Sequence, residues 1–114
     1  MKEKMKRVAK VFFLLVIMLL ISCTSTYNAG RYEATGEGRN GPIRVAVVID
    51  SQGEISEIGV MDHSESDRMM GQVEKQLTPN MLEGNTWEVD GVSGATESSE
   101  GYKEAVKNAL KEAK

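Results

Sequence analysis

Residues 43–50, Ile43-Arg44-Val45-Ala46-Val47-Val48-Ile49-Asp50, place five β-branched side chains in eight positions. Branching at Cβ crowds a helix but packs well on a pleated surface, so the run predicts a strand. Side chains alternate across a strand, which puts Ile43, Val45, Val47 and Ile49 together on a core face. Turn residues bracket the run, Asn40-Gly41-Pro42 before it and Ser51-Gln52-Gly53 after it. Gly30 to Arg39 alternates in character and predicts a first strand, weakened or bulged by Gly36 and Gly38. Ile55 to Met61 predicts a third, with Ile58 and Val60 on one face. Connections this short predict an antiparallel meander.

After His63 the apolar period lengthens. Met69, Met70, Val73 and Leu77 recur at helical spacing, with Ser64 or Ser66 as cap and Glu65 and Asp67 in the first turn. Pro79 is expected to end this helix, and Asn80 to Glu83 to form one further turn. Trp87 and Val89 alternate with Glu88, so Thr86 to Asp90 is expected to add an edge strand. A last helix is predicted from about Ser98 to Ala113, with Tyr102, Val106, Ala109, Leu110 and Ala113 on its apolar face. Glu97 and Glu100 near its start and Lys107, Lys111 and Lys114 towards its end suit the helix dipole. The predicted fold class is α+β: a small antiparallel sheet of three to four strands with helices packed on one side.

The stretch most suggestive of chemistry precedes that helix: Asp90-Gly91-Val92-Ser93-Gly94-Ala95-Thr96. Gly94 permits close backbone approach. The first amide N–H groups of a helix lack internal partners, and the dipole adds partial positive charge, so a helix start of this kind suits a phosphate. Thr96 adds a hydroxyl there, although Thr is also an ordinary N-cap residue.

This stretch resembles the flavinylation signature of the FMN-binding domain family, which includes the flavin-carrying subunits of the Rnf and Nqr complexes and small exported flavin lipoproteins. That signature runs Asp, two variable residues, Ser or Thr, Gly, Ala, then Ser or Thr. Asp90, Ser93, Gly94, Ala95 and Thr96 match each fixed position. The resemblance implies that Thr96 carries FMN through a phosphoester bond installed by an ApbE-type flavin transferase. It implies that Asp90 belongs to the sequence the transferase recognises. Ser93, Gly94 and Ala95 would form a backbone cradle. Ser98 and Ser99 would add hydroxyl donors, or one of them would cap the helix.

Two further stretches are similar to the family. Gly41-Pro42-Ile43 resembles its Gly-Pro-Ile-x-Val segment, which is scaffold. His63-Ser64-Glu65-Ser66 resembles a His-x-Glu-Thr segment, with Ser66 in place of Thr, and implies that His63 and Glu65 border the flavin. For His63 a surface position at a strand end is the competing expectation. Met69, Met70 and Met81, and likewise Trp87, either fill the core or pack on the flavin ring.

The front of the chain has the layout of an export signal. Lys2, Lys4, Lys6, Arg7 and Lys10 precede an unbroken apolar run from Val11 to Ile21, too short for a comfortable membrane span. Leu20-Ile21-Ser22-Cys23 resembles the bacterial lipobox, so residues 1–22 are expected to be removed and Cys23 to be lipidated. Several acyl chains together hold a protein to a membrane stably. Residues 23–29 are then a lipidated tether and residues 30–114 one domain. With a single cysteine, no internal disulfide can form; with a single histidine as well, a structural zinc site is not expected.

Without residues 1–22 the chain has 9 basic and 16 acidic residues, net −7, which argues against nucleic acid as a partner. The sequence contains no Walker loop, and Gly36-Glu37-Gly38 is too short for a dinucleotide fingerprint. The expected protein is a lipid-anchored, extracytoplasmic electron carrier with covalent FMN. It would be one component of an oxidoreductase system rather than an enzyme by itself. Its partners would be the flavin transferase, a membrane redox protein and the bilayer of a bacterial cell membrane. The alternative is a module that binds flavin or phosphate without a covalent bond, or that binds a protein partner.

Overall fold

The structure, a computed structural model, describes residues 27–114. Cys23 and the rest of the expected signal and lipobox lie outside those residues. Strands β1 (Gly30–Glu37), β2 (Pro42–Ile49) and β3 (Ile55–Asp62) are followed by helices α1 (Asp67–Gly84) and α2 (Thr96–Glu112). The sheet is an antiparallel meander in the order β1-β2-β3. The fold is α+β, as its patterning predicts.

The central strand does what its β-branched run demands. Ile43, Val45, Val47 and Ile49 are all buried, while Arg44 on the opposite face is exposed. Their register brings Val47 beside Tyr32 and Ile58, and Val45 beside Ala34 and Val60. Helix α2 packs on β1 and β2, and α1 packs against β3 and α2. From α2, Tyr102, Ala105, Val106, Ala109 and Leu110 enter the core. Among the described residues no helix is long and apolar enough to cross a membrane.

Close contact between β1 and α2 depends on glycines. A Cβ on Gly101 would lie 2.6 Å from the Cα of Gly38, and one on Gly36 would run into the carbonyl oxygen of Gly101. Gly36 and Gly38 are expected from sequence to weaken the strand. Gly36 lies within β1 and Gly38 just after it, and both let the helix backbone come against the chain. Tyr27 and Asn28, expected in the tether, belong to the packed body: Tyr27 is buried and the Asn28 N–H donates to the Ala113 carbonyl over 2.7 Å.

Two expectations fail for physical reasons. Helix α1 does not stop at Pro79 but continues to Gly84. An interior proline costs a helix about 3 kcal/mol. Continuing the helix keeps Met81 wholly buried beside Leu77, Val73 and Met70, and a fully buried side chain of this size is worth about 1.5–3 kcal/mol. The true stop is Asn85, in the left-handed conformation (φ 53°, ψ 44°). Its side-chain oxygen accepts from the Ile55 N–H over 2.8 Å, joining the helix end to the start of β3.

Thr86 to Asp90 does not form an edge strand. The Val89 N–H donates to the Trp87 carbonyl over 3.0 Å, and the Glu88 N–H to Thr86 Oγ1 over 3.0 Å. These local bonds use the donors that a ladder would need. Trp87 and Val89 still pack against the core, and Lys107 Nζ sits 4.9 Å from the centroid of the Trp87 ring.

Candidate flavin site

Helix α2 begins one residue after Ala95, which occupies the N-cap position and makes no side-chain cap bond. Thr96 is the first helical residue and is exposed. Its hydroxyl is therefore not the helix cap. Before it, the Ala95 N–H donates to the Val92 carbonyl over 3.0 Å, closing a turn that includes Gly94 at φ 84°. A Cβ at Gly94 would meet nothing within 4 Å. Glycine is thus required there by the backbone angle and not by lack of room.

A cleft of ≈ 230 Å³ opens at this helix start. Arg39 and Met69 line it from other parts of the fold, and Gly94, Ala95, Thr96, Glu97 and Ser98 line it from the turn and the first helical turn. Arg39 follows the end of β1, and Met69 is in the first turn of α1, whose cap is Ser66: Ser66 Oγ accepts from the Met69 N–H over 3.2 Å. The cleft is therefore assembled from three separated stretches of chain.

Behind it lies a buried carboxylate. Glu65 is 5% exposed. Its Oε1 accepts the Arg39 N–H and its Oε2 the Asn40 N–H, each over 2.7 Å. Ser98 Oγ donates to Oε1 as well, over 2.7 Å. Burial pushes the Glu65 carboxyl up, but the bonds from Ser98, Asn40 and Arg39, with the nearby His63, outweigh it and hold the group below its ordinary 4.5. Glu65 thus stays ionised and joins the β1–β2 turn to the start of α2.

The residues expected at the site divide accordingly. Thr96, Ala95, Gly94 and Ser98 line the cleft. Ser98 and Ser99 are wholly buried, and neither occupies the cap. The Ser98 hydroxyl is engaged by Glu65, and Ser99 Oγ accepts the Val92 N–H over 2.9 Å, which fixes the turn. Ser93 and Asp90 are exposed and outside the cleft lining. His63 is half-buried, with Nε2 3.8 Å from Asp67 Oδ1 and Nδ1 buried without a hydrogen-bond partner. Met70 and Met81 fill the core, whereas Met69 is half-buried and reaches the cleft. Arg39 has no distinguishing signal in the sequence, where it is one charged residue in a turn.

These residues fit FMN. An exposed hydroxyl stands on the first residue of a 17-residue helix whose leading amides no side chain caps, and an arginine and a thioether line the same cleft. Pockets that enclose a small molecule have about 300 Å³ or more, and this open cleft of ≈ 230 Å³ is somewhat smaller.

Comparison with known proteins agrees with that geometry. The sequence model of the FMN-binding domain matches residues 38–111, which include the Arg39 turn, Glu65 and Thr96. The chain is 36% identical over 84 residues to NADH:acrylate oxidoreductase of Vibrio harveyi, a match covering 74% of this chain and 8% of that protein. It is 34% identical over 83 residues to an uncharacterized protein of Treponema pallidum, covering 73% of this chain and 23% of the relative. The chain thus spans a small part of each of these relatives. The matched segment contains the cleft, and the chain belongs to the FMN-binding domain family.

Proposed function

We propose that the protein is a lipid-anchored, extracytoplasmic electron carrier with one FMN esterified to Thr96. The observation that carries this reading is Thr96 itself: an exposed residue, not the cap, that lines the cleft at a helix start with no side-chain cap bond. Covalent attachment retains a cofactor that would otherwise be lost outside the cytoplasm. The bound flavin supplies reversible electron uptake and release. The chain holds its phosphate at the α2 start, shapes the cleft through the Glu65 bonds, and leaves part of the ring open to a partner. It does so as one component of a larger oxidoreductase system, and the similarity to NADH:acrylate oxidoreductase supports that place. An ApbE-type transferase would load the flavin and a membrane redox protein would exchange electrons with it. The lipobox at Leu20-Ile21-Ser22-Cys23 supports anchoring through Cys23.

The test is peptide mass mapping of the full chain after co-expression with a flavin transferase in export-competent cells. The Thr96 peptide is expected to gain the mass of FMN less one water, and Thr96→Ala to lose it. An unmodified peptide in folded protein sinks covalent attachment and favours reversible binding at the same cleft. Anchoring is tested separately: Cys23→Ala should move the protein from the membrane to the soluble fraction.

A further inference from the structure

Taking the cleft as the FMN site, we propose that Arg39 is the residue that recognises the flavin phosphate there, and so makes the site selective for FMN over the uncharged riboflavin.

The electrostatics of the cleft call for a cation. Without residues 1–22 the chain carries a net charge of −7, which repels a phosphate at long range. Glu97 lines the cleft itself, and ionised Glu65 lies behind it. Against these two carboxylates the helix dipole offers about half a positive charge. Arg39 is the single basic residue in the lining.

Its guanidinium is also uncommitted. Arg31 and Arg44 both pair with Glu33, and Lys103 pairs with Glu100. Arg39 is exposed and makes no ion pair among the described residues. Yet its backbone is fixed more firmly than a surface turn requires. The Arg39 N–H is held by Glu65 Oε1, the Asn40 N–H by Oε2, and the Gly38 N–H donates to the Gly41 carbonyl over 2.8 Å. Through Ser98, the same carboxylate is bonded to the helix that carries Thr96. A free arginine side chain thus rises from a turn held in register with the attachment point. Guanidinium suits a phosphate because it presents paired N–H donors in a planar fork.

The test uses the full chain produced without a flavin transferase and titrated with FMN and with riboflavin, following flavin fluorescence. Wild type is expected to bind FMN at least about tenfold more tightly than riboflavin, the size of one charge-assisted hydrogen bond. Arg39→Gln should remove most of that preference, weakening FMN binding several-fold more than riboflavin binding, and Arg39→Lys should keep more of it. On the flavin-loaded chain, the phosphorus NMR resonance should move in Arg39→Gln relative to wild type. An Arg39→Gln chain that keeps the wild-type preference, or a wild type with none, overturns the assignment, as does an unmoved phosphorus resonance. Should the Thr96 peptide stay unmodified on co-expression, covalent attachment fails by itself and the two titrations still decide Arg39. A chain that binds neither flavin and accepts none from the transferase overturns both.

Discussion

Ser98 and Glu65, 33 residues apart, meet through a 2.7 Å hydrogen bond in which the hydroxyl donates to the carboxylate. With the N–H groups of Arg39 and Asn40 on the same carboxylate, this bond is the point where sheet, turn and helix are joined. Removing Glu65 as Glu65→Ala leaves the buried Ser98 hydroxyl without this partner, at about 1–3 kcal/mol, while the part-buried N–H groups of Arg39 and Asn40 can turn to water and lose less. Urea unfolding should show that loss, and Glu65→Gln, which keeps the shape but also brings an N–H₂ against donors, should lie between the two.

The same residue sets an acid limit. Its folded-state carboxyl is held below 4.5. The unfolded chain therefore takes up a proton there before the folded one does. The Glu65 contribution is present above about pH 4.5 and is lost as the pH falls through the lower folded value. Unfolding measured from neutral pH into acid should give a smaller pH slope in Glu65→Gln than in wild type. Equal slopes would show that other carboxylates control the acid transition.

Gly101→Ala tests the approach of α2 to β1. In an open helix the change would stabilise by about 1 kcal/mol, since alanine is the better helix former. Here the new methyl would lie 2.6 Å from both the Cα and the nitrogen of Gly38, which are backbone atoms. They cannot rotate away as a side chain can, and overpacking of this kind costs about 1–3 kcal/mol. A lower urea midpoint is expected, and a higher one would mean that the contact relaxes easily.

Much of this fold is legible in the sequence because its signals are local. The Ile43–Ile49 alternation, the helical spacing of Met70, Val73 and Leu77, and the Asp90–Thr96 signature each depend on neighbouring residues. What escapes depends on distant ones. Pro79 is tolerated because Met81 is buried beyond it. Gly36 and Gly38 look like weak points until Gly101 is opposite them. Ser98 reads as a hydroxyl donor or a helix cap, and its bond to Glu65, 33 residues away, has no local signal. Arg39 becomes a site residue only through the turn that Glu65 fixes.

Tyr102 gives a prediction at the other end of the pH scale. Burial raises its hydroxyl to about 12; the bond with Thr78, at 2.5 Å, opposes the rise and the charge of Glu74 adds to it. The unfolded group ionises near 10.0, so its stabilisation is complete below that pH and declines as the pH rises towards about 12. Alkaline unfolding should begin later in Tyr102→Phe. At neutral pH that variant should be less stable by about 0.5–1.5 kcal/mol, the usual net worth of the lost hydrogen bond. An unchanged alkaline limit would place the sensitive group elsewhere.

Thr96→Ala and Thr96→Ser separate attachment from folding. Were Thr96 the helix cap, its removal would cost about 0.5–2 kcal/mol. The cap position belongs to Ala95, and the Thr96 side chain is exposed. Thr96→Ala in the unloaded chain should therefore change stability by no more than about 0.5 kcal/mol, as for an ordinary surface change. Thr96→Ser keeps a hydroxyl on the first helical residue and should still accept flavin. Urea unfolding and peptide mass mapping on the same three proteins check both halves. The expected pattern is three similar midpoints with flavin on two of the chains. A large drop in the Thr96→Ala midpoint would mean that the threonine is retained for the helix, and loss of its flavin would then follow from damage to the cleft.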